Sequence, residues 1–273
     1  MSKIILIFTF FVIIAGTIIM LYRWDRKNPE PFKNILFCLM LGVIAFVLDR
    51  FVFRFSVCKI LFGNDLIEFT VRINDEFVPM AGNPAYGSWS RLLFSAFIIG
   101  GLLKEGITFF FIGYVLNRFR KHVDEARDPF VYAMYVAIPF ALLDGFTHYY
   151  VDMAPFRSVY GTLNYLRFDL IWVVMRLFTV HFGGAMAIGF GYSMARFNYE
   201  ITDSLGFRFP GIQNRRNLNI PIGFLMAILL HGITTLSFGA RQWGWVLLGL
   251  CLVLAEIWVM RWVMKRIGNV HEL

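Results

Sequence analysis

Residues 92–116 read LLFSAFIIGGLLKEGITFFFIGYVL. One charged couple, Lys104-Glu105, stands at the centre of an otherwise apolar run of 25 residues. A helix rises about 1.5 Å per residue, so about 20 apolar residues cross the ~30 Å hydrocarbon layer of a bilayer. The run is long enough to span, and its charge sits at mid-depth.

Six further runs repeat the pattern, at 4–22, 34–49, 130–151, 169–195, 219–238 and 242–262; the second is short. The expected fold is all-α: a polytopic membrane bundle of about seven helices, one integral domain over 1–273, with its core at 92–240. The first run has no internal charge and no Ala-x-Ala cleavage pattern, and it ends in Arg23-Trp24-Asp25-Arg26-Lys27. It reads as a signal anchor.

Composition agrees. Of 273 residues, 58% are apolar and 16% charged, against about 45–50% and 25% in a soluble domain. A soluble fold of this length has too little interior to hide that surface. Cys38, Cys58 and Cys251 are too few and scattered for a disulfide framework or a Cys-based zinc site.

The net charge of +8 would suggest nucleic acid in a soluble protein, but here the cations cluster between apolar runs. Fifteen of the 26 Lys and Arg residues follow the first, third, fifth and seventh runs, and nine lie on the other side. That bias places the N-terminus outside and the C-terminus in the cytoplasm, with a bacterial inner membrane as the natural setting and no nucleic-acid partner. The segment 50–91 is the one long extramembrane piece. Phe69, Val71 and Ile73 alternate with Glu68, Thr70 and Arg72, a strand-like period that predicts a small outer-face hairpin or lid.

The informative residues are the exceptions to the apolar background. An ionisable group at the centre of a span costs about 2.5–3.5 kcal/mol on insertion scales, and such groups face the protein interior. Glu105, Asp144, His181 and His231 lie on four different runs, each roughly 18–21 Å from one face. Two imidazoles and two carboxylates at one level are a chemically sensible set for Zn²⁺. Blander readings exist for each. Lys104 could neutralise Glu105, but adjacent helical residues point about 100° apart. His148 stands four residues after Asp144, as a hydrogen-bond partner or support for it. Arg176 has Asp169 two turns away, and Glu256 has no matching partner. Ala185, Ala187, Gly189 and Gly191 suit close helix packing.

The order of these residues resembles the PrsW-type intramembrane metalloproteases, distant relatives of the CAAX prenyl endopeptidases. The family's Glu-Glu-x-x-Lys matches Lys104-Glu105-Gly106-Ile107-Thr108, and its Phe-x-x-x-Glu matches Phe140 to Asp144. Its Arg-led His before small residues matches Arg176 to His181-Phe182-Gly183-Gly184, and its His-Gly-x-x-Asn matches His231 to Thr235. The resemblance covers about residues 90–240. This chain departs from the pattern at Lys104, Thr108, Asp144 and Thr235.

The resemblance implies an intramembrane protease. Glu105 would be the general base; Asp144, His181 and His231 would bind zinc or orient the water; Lys104 or Arg176 would stabilise the oxyanion. Thr108, Thr235 and His148 would support the site. The implied substrate is a membrane-embedded or membrane-adjacent protein such as an anti-sigma factor, cut in regulated intramembrane proteolysis. Two rivals share the residues: an inactive relative serving as a membrane scaffold, and an ion- or proton-coupled transporter. The transporter has no internal repeat in its favour.

Overall fold

The computed structural model describes residues 2–24, 29–53, 93–147, 176–197 and 216–239, with six further positions between 251 and 262. Every regular element among the described residues is helical. Helix α1 is Ser2–Trp24 and α2 is Phe32–Val47, continued by a wide-wound π-helical segment, Leu48–Phe53. In α3, a π-helical segment, Phe94–Lys104, passes into an α-helical one, Glu105–Arg118. Helix α4 is Asp128–Thr147, and α5 joins π-helical Arg176–Gly183 to α-helical Gly184–Arg196. Helix α6 is Arg216–Gly239.

Four helices are long and apolar enough to cross a membrane: Phe32–Phe51, Ala96–Arg118, Asp128–Thr147 and Leu218–Leu236. Of the other three expected runs, the first is helical in α1, the fifth is helical in α5 from Arg176 onward with 169–175 outside the described residues, and 242–262 lies mostly outside them. Most of the expected lid, 54–91, does too.

One boundary needs correction. The second run does not stop at residue 49: its helix continues to Phe53. Asp49 and Arg50 look like the end of a span, yet both are buried, so the bundle rather than water accommodates them.

Helix α4 is the hub. Every residue from Asp128 to Ala141 is buried, as expected of a helix apolar on all sides. Helix α2 packs on one flank of it and α5 on another; α6 covers α5 and the first half of α3. The crossing of α5 and α6 is a backbone contact. A Cβ on Gly223 would sit 2.9 Å from the Cα of Gly191 and 2.5 Å from the Ala187 carbonyl oxygen. The small residues of the fifth run therefore do serve close packing.

The outer faces remain apolar. Phe32, Leu36, Met40, Val43, Ile44 and Val47 form an exposed stripe on α2, and Leu218, Ile222, Leu225, Met226 and Leu229 do so on α6. Lipid is the solvent that such faces require.

At the α2–α4 contact a small polar network is buried. The Tyr132 hydroxyl donates to the Glu30 carboxylate, and Asn34 Nδ2 donates to the Tyr132 oxygen at 3.2 Å.

Candidate functional site

The four ionisable residues singled out above converge in the bundle interior as two pairs. Glu105, at the π-to-α junction of α3, faces His231 of α6: His231 Nδ1 lies 2.8 Å from Glu105 Oε1. Asp144, near the end of α4, faces His181 of α5, with His181 Nε2 3.0 Å from Asp144 Oδ2. Lys104 Nζ reaches the same Asp144 oxygen at 2.8 Å. Lys104 is wholly buried and the four others are at most 6% exposed.

Consecutive residues thus serve different pairs: Lys104 turns to α4 and Glu105 to α6. The π-helical segments place these groups. Phe94–Lys104 delivers the Lys–Glu couple, and Arg176–Gly183 delivers His181. Stretches with an i→i+5 ladder are rare and concentrate at functional sites, where they re-aim side chains.

The surroundings are shaped as well as charged. A Cβ on Gly184 would stand 2.6 Å from Glu105 Oε2, so glycine there makes room for the carboxylate. The Phe140 ring packs against the His181 imidazole, centroids 5.3 Å apart, and Lys104 Nζ lies 5.2 Å from the centroid of the same ring. Phe140, the first residue of the matched Phe-x-x-x-Glu pattern, is therefore a wall of the site.

The supporting residues divide. Thr108 is buried, and its hydroxyl donates to the Lys104 carbonyl at 3.2 Å, so it serves the helix junction. Thr235 is half-buried on α6. Arg176 begins α5, and its side chain lies outside the described residues; His148 and Glu256 do as well. Asp49 was missed at the sequence level because it stood at the supposed end of a span. It is fully buried, and its segment packs on the first half of α3. The signal that could have found it is the apolar Phe51-Val52-Phe53 beyond it.

Two imidazoles and two carboxylates suit zinc as donor types. As placed they are used pairwise, and Lys104 shares the Asp144 oxygen with His181. Among the described residues no three His, Cys, Asp or Glu side chains come together as a ligand set for a metal ion.

The fold and site define a class: a helical membrane protein holding carboxylate–imidazole pairs in its interior. The chain is 22% identical over 234 residues to Protease PrsW of Clostridioides difficile (strain 630), spanning 86% of this chain and 79% of that protein. The likeness to a PrsW-type protease is distant but runs over most of both chains. No family model matches the chain, and no solved structure matches it.

Proposed function

We propose that the chain is an intramembrane protease that hydrolyses a peptide bond in a membrane-embedded or membrane-adjacent protein. The observation that carries this reading is the buried Glu105–His231 pair, 2.8 Å apart, in a chain similar to a protease over most of its length. A carboxylate held by an imidazole away from bulk water is equipped to act as a general base. Glu105 takes a proton from the attacking water and returns it to the leaving amine, while His231 fixes the carboxylate's orientation. Lys104, held by Asp144, supplies the positive charge toward which the oxyanion develops, with His181 beside it.

The departures from the family pattern form a set. Where the resemblance leads one to expect two glutamates, this chain has Lys104 and Asp144 in contact at 2.8 Å. A base has replaced one acid and a shorter acid the other, so the pair carries no net charge where two glutamates would carry two negative ones. The base brings a positive charge into the site and the shorter acid holds it there, which supports an active variant. The reading also takes the substrate as a transmembrane protein such as an anti-sigma factor, with the N-terminus outside and the C-terminus in the cytoplasm of a bacterial inner membrane.

The test uses the purified chain in liposomes with a candidate transmembrane substrate. Glu105→Gln and His231→Ala are each expected to lower cleavage by about 10²–10⁴-fold, the usual contribution of general acid–base catalysis. Unchanged cleavage in Glu105→Gln overturns the assignment; a wild-type cellular phenotype with that variant points to a scaffold, and uptake driven by a pH gradient points to a carrier. Zinc is tested in the same preparations. When bound it would supply a polarised water, and stoichiometric zinc that is lost in His231→Ala would mean that the two pairs open to hold it. Full activity without metal leaves proton transfer to Glu105 alone.

A further inference from the structure

At one end of the bundle, away from the paired acids and histidines, a cavity of about 870 Å³ opens between the start of α2, the end of α3 and the end of α5. Lys33, Arg118, Arg120, Lys121 and Arg196 line it, and no acidic side chain of the described residues does. These cations come from three separate stretches of chain. Cations in the last turn of a helix complement its dipole, and that accounts for Arg118 on α3 and Arg196 on α5. Arg196 also donates to the Arg120 carbonyl at 3.1 Å, which fixes the turn after α3 against α5. Lys33, Arg120 and Lys121 have no such role. Lys33 lies in the first turn of α2, where a cation opposes the dipole.

The floor of the cavity is apolar. The Phe37 ring meets Phe119 edge-on at 5.5 Å and the tilted Tyr114 ring at 6.3 Å. From there the outer faces of α2 and α3 continue away from the cavity as exposed Leu36, Met40, Phe110 and Tyr114. These two helices are candidate spans, so a basic mouth at the span ends opens directly above a lipid-facing surface. Basic pockets between transmembrane helices are suited to anionic lipid headgroups.

We propose that this cavity binds the phosphate-bearing headgroup of an anionic phospholipid, whose acyl chains lie against the exposed faces of α2 and α3. The cations would meet the phosphate beside Asn34, which also lines the cavity and links it to the buried Glu30 and Tyr132. A soluble phosphate compound would use the same cations but would leave the apolar surface below without an occupant.

The experiment places the full chain in nanodiscs of dioleoyl phosphatidylcholine with or without dioleoyl phosphatidylglycerol, and counts lipids retained on the released protein by native mass spectrometry. Phosphatidylglycerol is expected to be retained preferentially. Reversing two cations in Arg120→Glu/Lys121→Glu should lower that preference at least about tenfold, because each cation near an anionic surface contributes enough to shift binding severalfold. Lys33→Glu, on a different helix, should lower it in the same direction, and Arg120→Lys/Lys121→Arg should keep it. Equal retention of the two lipids overturns the proposal, as does a double reversal that retains phosphatidylglycerol like the unsubstituted chain. Displacement of the retained lipid by inorganic pyrophosphate at micromolar concentration also overturns it, in favour of a soluble ligand.

Discussion

Lys104 and Glu105 are neighbours in the chain and partners of different helices. The roughly 100° between successive helical side chains lets one reach Asp144 on α4 while the other reaches His231 on α6. Gly184 completes the arrangement. An alanine there would bring its methyl to 2.6 Å from Glu105 Oε2 and 3.1 Å from Cδ, so the carboxylate must move. The backbone of α5 need not, because the obstructed group is the end of a side chain. Gly184→Ala is therefore expected to leave unfolding unchanged and to lower cleavage by about 10²-fold, the scale on which misplacement of a reacting group by about 1 Å acts. Parallel unfolding and cleavage measurements check it; wild-type cleavage would remove Glu105 from the chemistry. The identity of the site residues was legible in the sequence because acids and histidines are conspicuous against an apolar background. Their pairing was not. Matched depth places four groups at one level, but helix rotation decides who faces whom, and no periodicity announces the π-helical segments that set the rotation of Lys104 and His181.

At the scale of elements, those segments explain why one boundary was misread. Charge at positions 49 and 50 suggested water, whereas the segment Leu48–Phe53 turns Asp49 and Arg50 into the protein. The small residues of α5 were legible as packing residues, and the structure supplies their partner in Gly223 of α6. Here the obstructing atoms are backbone and cannot step aside. Gly223→Val should cost about 1–3 kcal/mol, the usual penalty for overpacking a close contact, read as a lowered unfolding midpoint in detergent. Gly16→Ala is the matched control, since a Cβ there meets nothing within 4 Å, and it should leave the midpoint unchanged or raise it. Because α6 also carries His231, loosening this crossing should reduce cleavage along with stability.

For the whole molecule, the bundle turns a count of cations into a place. The side assigned fifteen Lys and Arg residues includes Lys33, Arg118, Arg120, Lys121 and Arg196, and the structure gathers these five around one cavity. Helix α2 starts there, α3 and α5 end there, and Asn219 near the start of α6 donates to the Met194 carbonyl near the end of α5 at 3.3 Å. Successive spans from α2 to α6 therefore alternate in direction, with the basic ends on one face. The proposed orientation puts that face in the cytoplasm, where cations are retained during insertion. Lys121, exposed in the turn after α3, is a suitable reporter. In Lys121→Cys, a membrane-impermeant maleimide should label the new thiol in inverted vesicles and leave it untouched in intact cells, with the unsubstituted chain as the baseline for its own cysteines. Labelling in intact cells would invert the topology. It would also put the basic cavity, and the lipid leaflet it draws from, on the outer face.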